Sequence, residues 1–166
     1  MNKKIPATLP FWHPAFLIAT WFGSGLLPKI PGTWGSAAAL PFAWLIMWLG
    51  GPWALLICAG VAFGVGVWAA GMYSKHSGIK DAGPIVIDEV AGQWLTLIPA
   101  GLNPVLFLVG FFLFRAADIL KPWPASWADR KVEGGFGVML DDIFAAIYAA
   151  AGLYGFIWYF EWPTTF

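Results

Sequence analysis

Long apolar runs alternate with short polar stretches along this chain. Residues 9–27 (LPFWHPAFLIATWFGSGLL) are apolar but broken by Pro14 and a Gly-Ser-Gly. That pattern predicts an interfacial or shallowly inserted helix. A Gly-rich polar loop follows at residues 28–35 (PKIPGTWG). Residues 36–49 read as an apolar helix that stops at Gly50-Gly51-Pro52, a strong turn signal. Residues 53–73 form an apolar run of about 20 residues, long enough to span a bilayer. Residues 74–84 (SKHSGIKDAGP) are polar and loop-like. Residues 85–102 predict a helix with Asp88, Glu89 and Gln93 near its start, ended by Asn103-Pro104. Residues 105–120 predict the next helix, with Arg115 and Asp118 near its end. Residues 121–137 are polar and hold a Pro pair and a Gly pair. The last helix is expected over 138–160, with Asp141 and Asp142 in its first turn. No repeat and no internal boundary divides the chain, so residues 1–166 read as one domain.

Composition says where these helices sit. The 166 residues are 60% hydrophobic and 11% charged, with mean hydropathy +0.72. An ordinary soluble domain is about 25% charged, and a small one keeps much of its surface in water. The excess apolar surface belongs in lipid. Twelve Trp and 14 Phe agree, because aromatic rings collect at membrane interfaces. The expected class is an all-α, polytopic membrane bundle of about five to six helices, several of them short or interrupted. Whether 9–27 and 85–102 cross fully is left open by the pattern. A net charge of zero gives no footprint for nucleic acid. Cys58, the only cysteine, lies in an apolar run and reads as a small buried hydrophobe. No signal peptide is evident, so the N-terminus is expected to be retained.

Alternating the turns places residues 1–35, 74–84 and 121–137 on one side. Every Lys and Arg, from Lys3 and Lys4 onward, then falls on that side or, for Arg115, at that end of a helix. By the positive-inside rule this side is cytoplasmic. Every acid except Glu161 gathers there too. Asp88, Glu89, Asp118, Asp141 and Asp142 also lie inside or beside apolar helices, where a carboxylate costs roughly 2.5–3.5 kcal/mol even on the lenient insertion scale. Acids at helix starts have a plainer explanation in the helix dipole. Convergence of three acidic sites with Lys29, Arg115 and Lys121 favours a functional cluster. Carboxylates suit Mg²⁺, which shares its shell with substrate phosphate, and the bases suit phosphate oxygens. Arg115, Asp118 and Lys121 would form one stripe on a continuing helix. Thr33 is a plausible N-cap, and the helix start behind it could receive phosphate, although a plain turn explains the loop better when it is taken alone. His13 and His76 read as interfacial and solvated.

Four stretches carry a family resemblance: residues 23–36 (GSGLLPKIPGTWGS), 85–92 (IVIDEVAG), 118–124 (DILKPWP) and 134–142 (GGFGVMLDD). In order and spacing they resemble phosphatidylglycerophosphatase A, a bacterial inner-membrane lipid phosphatase, over nearly the whole chain. The resemblance implies a compact helical bundle. It also implies Mg²⁺-dependent hydrolysis of the terminal phosphate of phosphatidylglycerophosphate, giving phosphatidylglycerol and inorganic phosphate. Water activated by the metal at the cytoplasmic face of the inner membrane is the expected nucleophile. The family's motif acids fall on Asp88, Glu89, Asp118, Asp141 and Asp142, expected as catalytic and metal-binding residues. Its motif bases and hydroxyls fall on Lys29, Thr33, Ser36, Arg115 and Lys121, expected to bind phosphate. Two positions depart from the pattern beside the motifs: Ala82 follows Asp81 where the family often has proline, and Ala117 precedes Asp118 where an aromatic is frequent. A transporter or channel using clustered carboxylates is an alternative. An alcohol phosphatidyltransferase is another, but its longer aspartate motif is not found here.

Overall fold

The computed structural model describes residues 5–6 and 8–164, so Lys3 and Lys4 lie outside the described residues. Six α-helices and two 3-10 turns make up the described secondary structure, with no strand among the described residues. The helices are α1 (Pro14–Ala19), α2 (Pro31–Ser77), α3 (Ile87–Thr96), α4 (Pro104–Leu120), α5 (Ala125–Lys131) and α6 (Gly134–Tyr159).

The turn expected at Gly50-Gly51-Pro52 is a break inside α2. Gly51 has φ 67° and ψ −163°, a conformation open in practice to glycine alone. The two arms of α2 fold back on each other there. Gly35 on the first arm packs against Val86, and Gly66 on the second packs against Ile87. A straight helix would hold residues 35 and 66 about 45 Å apart, so both can meet adjacent residues only if the chain reverses.

Several boundaries differ from the sequence expectation, each for a local reason. Helix α2 starts at Pro31 instead of 36, because proline at the first helical position loses no hydrogen bond. Its N-cap is Ile30, not Thr33, which is already inside the helix. Helix α6 starts at Gly134 instead of 138. Asp141 and Asp142 are therefore about two turns inside it, not in its first turn. The 9–27 segment holds only the six residues of α1 and a 3-10 turn. The polar stretch 121–137 contains α5. Helix α3 has only ten residues, about 15 Å, and ends in a 3-10 turn at Ile98–Ala100. At that length α3 cannot cross a hydrocarbon core of about 30 Å.

Helices α2 and α6 are long and apolar enough to cross a membrane by length and composition. Large apolar side chains point outward along the helices, among them Trp53, Ile57, Phe112, Tyr154 and Trp158. Exposed apolar surface on this scale marks contact with lipid or another apolar partner. Inside, small residues let backbones approach: Ala59, Ala62, Ala69, Ala145, Ala146 and Ala149 are all buried. The tightest crossing is α2 on α6. A Cβ on Gly135 would sit 2.0 Å from the Val67 carbonyl oxygen and 2.6 Å from the Gly71 nitrogen. At the far end Asn103 caps α4 by accepting from the Val105 and Leu106 amides, at 3.0 and 3.2 Å. Its side-chain amide also donates to the Pro163 carbonyl at 3.3 Å, tying the chain after α6 to the start of α4.

Gly135→Leu should therefore destabilise the fold by about 1–3 kcal/mol or more. Gly155→Ala, whose new methyl would meet nothing within 4 Å, should be neutral or slightly stabilising. Thermal unfolding of the detergent-solubilised protein compares the two.

Candidate active site

Four pieces of chain converge at one end of the bundle. They are the start of α2, the segment 81–89 leading into α3, the last turn of α4 with Lys121, and the second turn of α6. Together they enclose a cavity of about 280 Å³. Five acids line it (Asp81, Asp88, Glu89, Asp118 and Asp142), with three bases (Lys29, Arg115 and Lys121).

The acids fall into two groups. Asp88 and Glu89 occupy the first turn of α3, and Asp142 faces them from α6. One carboxylate oxygen of each lies within 4.8 Å of the others. Asp88 and Asp142 are 7% and 3% exposed. Asp88 Oδ1, Glu89 Oε2 and Asp142 Oδ2 are buried without a hydrogen-bond partner. Buried polar atoms are normally satisfied, and each orphan asks for an explanation such as an ion. Three hard oxygen donors converging in this way fit Mg²⁺. The lining also carries two more acids than bases, the deficit one divalent cation would neutralise.

Asp118 and Asp141 are different, because each is committed to a base. The Arg115 guanidinium meets Asp118 Oδ2 at 2.7 Å and approaches Glu89 Oε1 at 3.9 Å. Its Nη1 also donates to Ser36 Oγ at 3.3 Å, and Ser36 in turn donates to the Gly32 carbonyl. Lys121 bonds Asp141 and lies 3.5 Å from Asp129. Burial opposes the Lys121 charge, but Asp141, Asp142 and Asp129 outweigh it and raise its pKa above the usual lysine range. Lys121 is thus a fixed positive charge.

The sequence-expected residues therefore divide. Asp88, Glu89, Asp118, Asp142, Lys29, Thr33, Arg115 and Lys121 line the cavity. Ser36 and Asp141 do not; they sit behind Arg115 and Lys121 and hold them. The expected stripe of Arg115, Asp118 and Lys121 is interrupted. Helix α4 ends at Leu120, and Lys121 takes a left-handed backbone (φ 43°) that turns it toward α6. Lys29, at the mouth, is left-handed as well (φ 74°) and exposed. Non-glycine residues in this region are uncommon and cluster at functional sites.

Two lining residues carried too little signal in the sequence. Asp81 lies in a polar loop with no motif of its own. Gly32 looked like one of several loop glycines. Yet its missing side chain is what lets α2 close on the site. A Cβ there would stand 2.1 Å from Glu89 Oε1 and 3.1 Å from both terminal nitrogens of Arg115.

The model of the family described as phosphatidylglycerophosphatase A matches residues 17–157, which include every residue of this candidate site. The chain belongs to this family. A phosphatidylglycerophosphatase A of Escherichia coli strain K12 is 44% identical over 156 residues, covering 92% of this chain and 86% of that protein. One from Haemophilus influenzae is 42% identical, covering 82% and 85%. A putative phosphatidylinositol-3-phosphatase of Bacteroides thetaiotaomicron is 35% identical, covering 88% and 92%. No solved structure gives a significant match. Membership makes the chain a phosphatase, and the cavity is the candidate site that brings acids and bases together.

Gly32→Ala tests that assignment. The added methyl should push the Glu89 carboxylate and the Arg115 guanidinium aside, at little cost to the fold, since both are ends of flexible side chains. Displacement near 1 Å in an active site costs about 100-fold in rate. The expected result is a loss of that order in phosphatase activity with an unchanged helical circular-dichroism spectrum.

Proposed function

We propose that this protein removes the terminal phosphate of phosphatidylglycerophosphate by Mg²⁺-dependent hydrolysis, at the cytoplasmic face of a bacterial inner membrane that it crosses several times. The observation that carries the reading is the trio of buried carboxylates with unpartnered oxygens, facing three bases across one small cavity. The names of the relatives supply the lipid.

Asp88, Glu89 and Asp142 would hold the ion. Bound there, Mg²⁺ supplies Lewis-acid stabilisation of the phosphoryl oxygens and lowers the pKa of water in its shell. The chain's own groups do the rest. Arg115, kept in place by Asp118 and Ser36, presents its guanidinium to the phosphoryl oxygens. Lys121, kept protonated by Asp141 and Asp129, offers a second positive charge. Lys29 meets the phosphate at the mouth. These charges are set before substrate arrives, so little reorganisation is needed as negative charge develops. One of the remaining lining carboxylates orients the attacking water and accepts its proton. Water oxygen bonds to phosphorus as the phosphorus–oxygen bond to glycerol breaks. The departing glycerol oxygen takes up a proton, and phosphatidylglycerol and inorganic phosphate result.

The membrane placement rests on the apolar exterior and on the ends of the helices. Lys29, Lys75, Lys80, Arg115, Lys121, Arg130 and Lys131 all belong to the end that holds the cavity. The opposite end carries Gly51, Asn103 and the chain following α6. A transport path would want ionisable groups along the bundle, whereas here they gather at one end.

Purified protein should release phosphate from phosphatidylglycerophosphate with Mg²⁺, stop on addition of a chelator, and recover when Mg²⁺ is restored. Asp88→Asn and Asp142→Asn should each lower kcat/KM by about 100-fold or more. Full activity in either variant, or activity indifferent to chelation, would remove the roles given to these residues.

A further inference from the structure

The cavity has a feature that phosphate chemistry does not require. Its floor is charged, but part of its lip is apolar and open. Ile30 and Ile119 both line it, and they are 53% and 70% exposed. They stand on the two elements that meet at Arg115. Ile30 caps α2 two residues before Gly32, which abuts Arg115 and Glu89. Ile119 follows Arg115 by one turn of α4, on the same stripe. Leu120 and Trp34 extend this apolar edge, at 79% and 43% exposed. The lining also includes Lys29, Asp81 and Gly83.

We infer that the lip formed by Ile30 and Ile119, between the start of α2 and the end of α4, seats the diacylglycerol portion of the substrate and admits it sideways from the lipid. The inference rests on the lipid-phosphatase reading above and specifies which part of the site selects a lipid over a water-soluble phosphate ester. Volume supports it. At about 280 Å³ the cavity falls just below the range of small-molecule sites, about 300–1,000 Å³. It holds a phosphorylated headgroup and leaves acyl chains outside. Those chains must leave across the lip, and Ile30 and Ile119 are its two exposed large apolar side chains. An enzyme for soluble phosphate esters would gain nothing from two exposed isoleucines at the entrance of a charged pocket.

The test compares phosphatidylglycerophosphate carrying two oleoyl chains with the dihexanoyl form, both in the same detergent micelles with Mg²⁺. The readout is the ratio of kcat/KM for the long-chain over the short-chain substrate. Wild type should favour the long chains. Ile119→Asn, Ile30→Asn and the double variant should reduce the ratio, the double variant by about tenfold. Ile119→Leu should keep it within about twofold. A ratio that stays at the wild-type value in all variants overturns the inference while leaving the phosphatase reading intact. So does an equal fall on both substrates, or a change in oligomer mass with no change in ratio, which would assign the lip to a second copy of the chain. Wild type that releases phosphate from neither lipid overturns the phosphatase reading, and the inference with it.

Discussion

Three carboxylates from two helices share one buried point, and the rest of the architecture answers to that. Two like charges within 4.8 Å repel by about 3 kcal/mol or more even at an effective dielectric near 20. Desolvation adds several kcal/mol for each buried ion. The bundle imposes this arrangement through backbone contacts that leave no room for side chains. Gly35 and Gly66 bring both arms of α2 onto the start of α3, and Gly135 seats α6 on the second arm. Gly92 lets α3 approach the backbone at Asp142, where a Cβ would come within 3.1 Å of its carbonyl oxygen. These glycines weaken their helices individually. What they provide is the spacing at which Asp88, Glu89 and Asp142 face one another.

The remaining acids do different work. Asp118 and Asp141 neutralise Arg115 and Lys121 locally, and each fixes one cation at the edge of the trio. Asp141 is the largest of the contributions that offset desolvation of the half-buried Lys121. With it, the ammonium is held where a phosphate oxygen can meet it. Ser36 does the same for Arg115 through a hydroxyl, and the 3.9 Å approach of Arg115 to Glu89 links the two groups of acids. Five acids thus serve two purposes, and sequence order does not separate them: Asp141 and Asp142 are neighbours with different tasks.

Much of this was legible before the fold. Hydropathy runs located α2, α4 and α6, and the Gly50-Gly51-Pro52 signal found the reversal inside α2. The family resemblance, confirmed by the match over residues 17–157, pointed to the acids and bases now seen around the cavity. The misses have physical reasons. Pro31-Gly32-Thr33 looks like a loop because proline and glycine punctuate turns, yet proline is equally at home in the first turn of a helix. Gly134 to Gly137 misled in the same way: they open α6, and Gly135 is small because α2 comes close to it. The shortness of α3 was hidden by an apolar stretch continuing past Thr96 into a 3-10 turn. The division between Asp141 and Asp142 needed coordinates, since it depends on which face of α6 meets α3.

The plainer explanation of the acids, as complements to helix dipoles, can now be weighed by magnitude. Asp88 and Glu89 do lie in the first turn of α3, where the dipole contributes about 0.3–1 kcal/mol each, and up to about 2 in partly buried geometries. Asp142 gains nothing comparable, because α6 begins eight residues earlier at Gly134. Repulsion within the trio exceeds what the dipole returns, and the nearest fixed cation, Arg115, is already shared with Asp118. A helix-capping role therefore leaves the repulsion among the three carboxylates uncompensated whenever they are ionised. A divalent cation, as proposed, would relieve that repulsion and draw phosphate to the point where the three carboxylates would otherwise repel it. On the proposed function, the same ion would make the trio tolerable within the fold and useful to a phosphatase.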